Sequence, residues 1–137
     1  MSHVSHISPL DDLPVVLMGH SEGAIAVATL DTISVTARIV EGWTCHAGWP
    51  EYRGLHGDSG QPVLALVGAN DPWFGAAVLK GDCGTFMDDG GASRSIVFSE
   101  PHYLSGKHWL SADGDVQSEI IGFIEDAVST RSKNNAE

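Results

Sequence analysis

A serine flanked by glycines is the residue best placed to act as a nucleophile in this 137-residue chain. Ser21 is the centre of residues 19–23 (GHSEG), which follow the apolar run Val15–Met18 and precede the small-residue run Ala24–Ala28. A strand, a tight turn and a helix in this order expose a serine hydroxyl in a strained backbone conformation. The two outer glycines leave room where a Cβ would collide with the neighbouring strand or helix. The pattern predicts nucleophilic attack by Ser21.

This strand, pentapeptide and helix resemble the α/β-hydrolase fold, and within it the small dienelactone-hydrolase-like branch. The resemblance extends from Leu13 to about Val128. It implies a nucleophile, an acid and a base in the chain order Ser, Asp, His, with one oxyanion-hole donor on the residue after the nucleophile, here the backbone N–H of Glu22. Dienelactone hydrolase has a cysteine at the position of Ser21, and this difference favours a generic ester over a dienelactone.

A serine hydroxyl needs a base to activate it, and a histidine base needs an acid to orient it. Asp71 is the predicted acid because it follows an apolar segment, residues 62–68, at the sheet edge where open α/β proteins place their sites. His102 is the preferred base because it lies four residues after Phe98, the predicted end of the last strand. His108, ten residues after Phe98, is the alternative because its Gly-x-His context and its distance from the last helix fit the resemblance.

The two neighbours of Ser21 are not predicted to act through their side chains. The turn directs the side chains of His20 and Glu22 away from the hydroxyl, so His20 is expected to pack against its surroundings. The Glu22 side chain is expected to make a local polar contact. The helix that follows directs its positive N-terminal end toward the reaction centre.

The elements that must position these residues alternate between strands and helices, which predicts a parallel sheet with right-handed crossovers. The predicted strands are Val15–Met18, Val35–Trp43, Pro62–Gly68 and Arg94–Phe98. The predicted helices are Ser21 to about Leu30, Trp73–Lys80 and a final amphipathic helix around residues 116–128, capped by Asp113 and Asp115. Residues 1–12 are expected to be a mobile N-terminus, 13–129 the domain and 130–137 a polar tail.

The resemblance implies that the chain corresponds to the C-terminal half of the hydrolase fold. A complete domain has four further strands before the nucleophile, whereas only residues 1–13 precede the first predicted strand here. The expected fold is therefore α/β, a three-layer sandwich with a mostly parallel sheet of about four strands. The first half would supply the second oxyanion donor and a strand beside Val15–Met18. We expect a second copy of the chain or a complementing N-terminal half to pair along that strand. Residues 1–13 could also fold over the strand.

Composition excludes several classes of partner. Hydrophobic residues make up 42% of the chain and charged residues 18%, which is typical of a globular domain. The net charge of −11 argues against nucleic acid and against an anionic membrane surface. No apolar run approaches the ~20 residues of a membrane helix. No signal-peptide pattern is visible, so a cytoplasmic location is predicted.

Neither a metal nor another cofactor is expected. Cys45 and Cys83 form no CxxC motif and are predicted to be reduced thiols. His3 and His6 have a ligand-like spacing but no companion ligands at usual spacings. Residues 81–84 (GDCG) lack the spacing and the Lys-Ser/Thr pair of a phosphate-binding loop.

Aromatic residues follow two of the predicted strands. Trp43, Cys45, His46 and Trp49 come after the second strand, and Trp73 and Phe74 come after the acid. They are interpreted either as an apolar acyl pocket or as cover for the sheet edge.

The sequence thus predicts a serine hydrolase that cleaves a small, neutral ester or lactone through an acyl-enzyme. The alternative from another class is a hydrolase-derived half-domain with little activity that serves in association. Acyl transfer to an acceptor other than water remains a third possibility.

Overall fold

A computed structural model describes residues 13–58, 60–88 and 91–136 of the chain. The strands are β1 (Val16–His20), β2 (Ala37–Glu41), β3 (Val63–Gly68) and β4 (Arg94–Phe98), and the α-helices are α1 (Glu22–Thr29) and α2 (Gly114–Ala136). Four short 3₁₀ helices lie in the connections, at Pro50–Tyr52, Pro72–Phe74, Ala77–Leu79 and Cys83–Phe86. The expectation of a mobile N-terminus at residues 1–12 lies outside the described residues.

The four strands form one sheet in the order β1-β2-β3-β4, and all three neighbouring pairs are parallel. Each parallel pair needs a crossover connection, and α1 supplies the one between β1 and β2. The register places Gly19 beside Val40 and Val40 beside Ala65, so the carboxyl ends of the strands lie along one edge. The prediction of an α/β fold with a mostly parallel sheet of about four strands is confirmed.

The sheet lies between two helical layers. Successive strand residues point to opposite faces of the sheet, so each strand contributes side chains to both layers. Ile39 and Leu64 face α2, whereas Val40 and Ala65 face α1. The core on the α2 side includes the helix residues Val116, Ile120, Phe123 and Ala127. The core on the α1 side includes Ala24, Val27 and Ala28 from the helix and Trp43, Cys45 and Cys83 from the loops. Both faces of the central strands are buried, which explains their continuous apolar sequences.

One charged side chain lies inside the α1-side layer. Arg38 in β2 is 1% exposed and its Nη1 donates to the backbone oxygens of Val27 and Leu30 at the C-terminal end of α1. Its Nε donates to Gln61 Oε1 over 3.1 Å. Burial lowers the pKa of Arg38, while Asp58 and Asp31 raise it. The guanidinium therefore caps the negative end of α1, which a hydrophobic residue at this position could not do.

Two predicted elements differ from the structure. The single helix predicted at Trp73–Lys80 is wrong, because two 3₁₀ turns on either side of Gly75 take its place. The final helix continues to Ala136 instead of ending near Val128, so the predicted polar tail is helical over 130–136. No glycine or proline follows Val128 to end that helix. Among the described residues, no helix is both long enough and apolar enough to cross a membrane.

Candidate active site

Ser21 occupies the sharp turn between β1 and α1. Its backbone has φ 58° and ψ −116°, a left-handed conformation that non-glycine residues rarely adopt. The Ser21 N–H donates to Glu41 O of the neighbouring strand over 2.9 Å. The Ser21 carbonyl accepts the N–H groups of Ala24 and Ile25, which begin α1. The turn is therefore fixed on both sides, and the strained serine predicted from the pentapeptide is present.

The two outer glycines of the pentapeptide are not equivalent. A Cβ on Gly19 would lie 2.2 Å from Gly23 O, inside the first turn of α1. A Cβ on Gly23 would meet nothing within 4 Å. Close packing of β1 against α1 thus requires glycine at position 19 only, and the expected collision at position 23 is wrong.

A hydrogen-bonded chain joins Ser21, His108 and Asp71. His108 Nδ1 lies 2.6 Å from Asp71 Oδ2, and His108 Nε2 lies 3.0 Å from Ser21 Oγ. A carboxylate only accepts, so Nδ1 carries the proton that it donates to Asp71. The lone pair of Nε2 consequently accepts the Ser21 hydroxyl proton. This arrangement can deprotonate the hydroxyl as it attacks an electrophile.

Asp71 is held in place independently of the histidine. Its residue is 4% exposed, and its Oδ1 accepts the Trp73 N–H over 2.9 Å. Trp73 lies in the 3₁₀ turn Pro72–Phe74 after β3, and the Asp71 side chain caps that turn. The backbone bond to one carboxylate oxygen leaves the other oxygen directed at His108. The acid predicted from the strand-loop pattern lies where that pattern placed it.

His102 is not part of this hydrogen-bonded chain. Its Nδ1 accepts the backbone N–H of Leu104 over 3.1 Å, and its ring stacks on Tyr103 at a centroid distance of 4.6 Å. The preference for His102 over His108 is therefore corrected by the geometry. Proximity to the strand end is a poor guide here, because the chain turns at residues 100–106 before it returns to the sheet edge.

The segment that returns is docked closely against the strand ends. A Cβ on Gly68, the last residue of β3, would lie 2.6 Å from Ser105 O. The Asn70 N–H donates to that same oxygen over 2.7 Å. Gly42, after β2, has φ +71°, and a Cβ there would lie 3.0 Å from His108 O. Glycines at the ends of two strands thus allow the His108 segment to approach the sheet.

The side chains of Glu41 and His20, for which the sequence predicts no chemical role, also contact this segment. Glu41 Oε2 accepts the N–H groups of Leu110 and Ser111, each over 2.6 Å. His20 Nε2 lies 3.0 Å from His108 O, and its ring packs on Trp109 with centroids 4.0 Å apart. His20 packs as expected, whereas Glu41 was missed. The sequence signal for Glu41 is a carboxylate that directly follows Ile39 and Val40 at the centre of a predicted strand.

The backbone N–H of Glu22 lies in the first turn of α1, one residue after Ser21. It has no hydrogen-bond partner among the described residues. Free N–H groups at a helix N-terminus attract negative charge through their own dipoles and through that of the helix. This N–H is the available oxyanion donor on α1.

Aromatic rings surround His108. Trp73 stacks on the His108 ring at 5.3 Å, and Phe74 lies 5.8 Å from it. Trp73 is 68% exposed, so its indole forms an open rim. Phe74 also contacts Trp43, which is buried in the α1-side core. Among the aromatic residues predicted as pocket wall, Trp73 and Phe74 thus lie at the site and Trp43 lies behind them.

The rest of the predicted aromatic cluster covers other surfaces. His46 packs on Phe86 and its Nε2 lies 3.2 Å from Asp82 O. Trp49 is exposed and contacts Tyr52. His46 therefore matches the interpretation as cover, whereas Trp49 lies exposed on the surface.

Cys45 and Cys83 form a disulfide between the loop after β2 and the loop after β3. The prediction of two reduced thiols is wrong. Both residues are fully buried in the α1-side core, where the loops cross. Positions 38 residues apart in the chain meet only because the fold brings the ends of β2 and β3 together.

The start of α2 is linked to the same region. Asp113 Oδ1 accepts the N–H groups of Asp115 and Val116, so Asp113 caps the helix as predicted. Tyr103 donates its hydroxyl to Asp113 Oδ2 over 2.5 Å. This hydrogen bond lowers the pKa of Asp113 and raises the pKa of Tyr103 to about 12.

The described residues contain no group of three His, Cys, Asp or Glu side chains that could hold a metal ion. Comparison with known proteins returned no matching family, no matching curated protein and no matching solved structure.

Proposed function

We propose that the protein is a serine hydrolase that cleaves a small, neutral carboxylic ester or lactone. The observation that carries the proposal is the chain of hydrogen bonds from Ser21 Oγ through His108 to Asp71, with lengths of 3.0 and 2.6 Å. A nucleophile within reach of a base that is itself oriented by an acid is the signature of covalent acyl transfer.

The proposed reaction assigns a role to each residue of the site. Ser21 Oγ attacks the ester carbonyl carbon while His108 Nε2 takes the hydroxyl proton. Asp71 stabilises the imidazolium that results, and the Glu22 N–H stabilises the oxyanion. The tetrahedral intermediate collapses, and the leaving alcohol takes the proton from His108. Water, deprotonated by His108, then attacks the acyl-enzyme carbonyl. The second tetrahedral intermediate breaks its bond to Ser21 Oγ, which takes the proton back from His108 as the carboxylic acid leaves. No cofactor enters these steps.

The α/β-hydrolase resemblance supports this reaction class. The acid and the base of the proposed triad follow the nucleophile in the order Ser21, Asp71, His108, which is the chain order of that fold. The all-parallel sheet and the strained residue between β1 and α1 also agree with it. We propose on these grounds that the chain corresponds to the C-terminal half of such a domain.

The surroundings of Ser21 favour an uncharged substrate with an apolar group. Trp73 and Phe74 adjoin His108 and offer ring faces for an acyl or alkoxy group. The net charge of −11 disfavours anionic substrates through long-range repulsion.

Hydrolysis of short p-nitrophenyl esters tests the proposed function. Wild-type protein is expected to turn over p-nitrophenyl acetate and butyrate, and Ser21→Ala is expected to lose at least about 10³-fold in turnover. Tm and circular dichroism of both proteins control for folding. Equal hydrolysis by folded Ser21→Ala would remove the proposal, as would the absence of hydrolysis with every neutral ester tried.

A second candidate function, association through β1, is favoured by the open edge of the sheet. Within the described part of the chain, β1 pairs with β2 only. Met18 of β1 is 45% exposed. An unpaired strand edge is a template for another strand. A homodimer or a complementing chain along Val16–His20 is expected to appear in sedimentation over a concentration series, with slow amide exchange in β1. A strict monomer with freely exchanging β1 amides would contradict it.

The cytoplasmic location predicted from the sequence remains a proposal. The disulfide argues for a different location. Disulfides persist mainly in oxidising compartments, whereas cytosolic thiols are kept reduced. The Cys45–Cys83 bond therefore favours an oxidising compartment over the cytoplasm.

A further inference from the structure

The segment Leu104–Ser111, here termed the His108 loop, is anchored in the hydrophobic core by one leucine near each end. Leu104 and Leu110 are buried, whereas Trp109 is 59% exposed. The direction of the His108 ring depends on the backbone around His108. From the His108 carbonyl to Ser111, that backbone is held by polar side chains from the ends of β1 and β2.

Glu41 holds the C-terminal side of the His108 loop. The residue is 1% exposed, and its Oε2 accepts both the Leu110 and the Ser111 N–H at 2.6 Å. Its Oε1 is buried and has no hydrogen-bond partner among the described residues. Burying a carboxylate in this way is costly. Two convergent backbone N–H groups are the compensation that the structure provides, and they belong to the segment directly after the base.

His20 holds the backbone carbonyl of His108. Its Nε2 lies 3.0 Å from His108 O, and because a carbonyl only accepts, that nitrogen carries the donated proton. His20 and Glu41 are paired in the parallel register of β1 and β2. Their side chains lie on the same face of the sheet and therefore reach the loop together.

We infer that Glu41 and His20 are positioning residues that fix the backbone at the His108 carbonyl and in the residues directly after it, and so hold the His108 ring between Ser21 and Asp71. The inference rests on the proposed function in that the ring thus held is the base. The positioning itself is a property of the free protein that is measurable without any reaction.

Substitutions at positions 20 and 41 separate the effect of the hydrogen bonds from the effect of side-chain size. Glu41→Gln keeps a carbonyl oxygen that can accept the two N–H groups, whereas Glu41→Leu keeps the size and leaves both N–H groups unpaired. His20→Phe keeps a ring against Trp109 and removes the donor. Ile120→Ala, in the second turn of α2 and in the core that also contains Leu104 and Leu110, is the control for lost core packing alone.

The first measurement is the NMR signal of the His108 Nδ1 proton that is donated to Asp71. We expect a slowly exchanging, downfield signal in the wild type that persists in Glu41→Gln and Ile120→Ala. We expect it to broaden or vanish in Glu41→Leu and His20→Phe. Asp71→Asn assigns the signal, since it removes the carboxylate acceptor.

The second measurement is the rate of labelling by a fluorophosphonate probe in variants that retain a cooperative unfolding transition. A base displaced by about 1 Å can lose about 10²-fold in rate. We therefore expect about a 10²-fold loss in Glu41→Leu, about tenfold in His20→Phe, and less than about threefold in Glu41→Gln and Ile120→Ala. If Glu41→Leu does not fold, His20→Phe and Glu41→Gln decide the question.

The outcomes distinguish this inference from the proposed function. Rapid labelling that is unchanged in folded Glu41→Leu and His20→Phe would overturn the positioning role and leave the hydrolase in place. An ordered His108 signal that depends on both residues, in a protein that is never labelled, would support positioning and overturn the hydrolase. Equal losses in Ile120→Ala would show that general stability causes the effect and would overturn the inference.

Discussion

At the scale of single residues, the site depends on a serine held in a conformation that costs free energy. A non-glycine residue at φ 58° and ψ −116° costs of the order of 1–3 kcal/mol, so its surroundings must enforce it. The Ser21 N–H is bonded to Glu41 O, and Gly19 allows β1 to lie directly against α1. The same contacts aim the hydroxyl at His108.

The two outer glycines give a matched test of this packing. Gly19→Ala is expected to lower the free energy of unfolding by about 3 kcal/mol, because its Cβ would lie 2.2 Å from a backbone oxygen. Gly23→Ala places a Cβ in open space within α1 and is expected to raise stability by up to about 1 kcal/mol. Urea unfolding of both variants measures the difference. Equal effects of the two substitutions would contradict the packing described here.

The nucleophile and the acid could be predicted from the sequence more easily than the histidine that joins them. Ser21 and Asp71 each follow a strand within a few residues, so local sequence places them at the sheet edge. The choice between His102 and His108 depends on how residues 99–111 fold back, which local spacing does not encode. The polar contacts of Glu41 and His20 depend on that same return.

At the scale of elements, α2 and the segment before it are linked by the Tyr103–Asp113 hydrogen bond. Because this bond holds the pKa of Asp113 below its usual value, its contribution is present above about pH 4 and is lost as the pH falls through the lowered pKa. The pKa of Tyr103 is raised to about 12, so the bond also weakens as the pH rises through that value.

Thermal unfolding as a function of pH tests this link. Asp113→Asn is expected to have a lower Tm than the wild type at pH 7, and the difference should shrink as the pH falls below about 4. Asp115→Asn removes a charge from the same helix turn and is the control, since the Tyr103 hydroxyl bonds to Asp113. A Tm difference for Asp113→Asn that is constant from pH 3 to pH 7 would refute the assignment.

The strands and the two α-helices could be predicted because continuous apolar runs mark the buried strands and α1, and an apolar face marks α2. The bounds of β4 match the predicted residues 94–98. The 3₁₀ turns after Asp71 could not, since Gly75 and the Asp71 cap decide them over very short segments. Arg38 also gave no signal, because a charged residue in a buried strand is explained only by the end of α1 that it caps.

At the scale of the whole molecule, the disulfide ties together the loops that follow β2 and β3. It closes a loop with a sequence separation of 38 residues, which is worth about 4 kcal/mol by the chain-entropy relation. Sequence alone could not pair Cys45 with Cys83, because their proximity arises from the order of strands in the sheet. The expectation of reduced thiols rested on the absence of a CxxC motif and of a dense cysteine framework, together with the predicted cytoplasmic location.

Thiol titration of the unfolded protein tests this tie. We expect no reactive thiol in protein purified without reductant and two after reduction. Reduced protein, and a Cys45→Ser, Cys83→Ser double variant, should each lose about 4 kcal/mol of unfolding free energy. Two free thiols in the untreated protein, together with unchanged stability on reduction, would contradict the disulfide.

In the proposed reaction His108, oriented by Asp71, activates Ser21. Mass-spectrometric mapping of the fluorophosphonate adduct, with labelling rates for His108→Ala and His102→Ala, tests this activation. We expect one adduct, on Ser21, a loss of about 10²–10⁴-fold in labelling rate for His108→Ala, and a near-wild-type rate for His102→Ala. An adduct on another residue, or a folded His108→Ala variant that labels Ser21 as fast as the wild type, would contradict it.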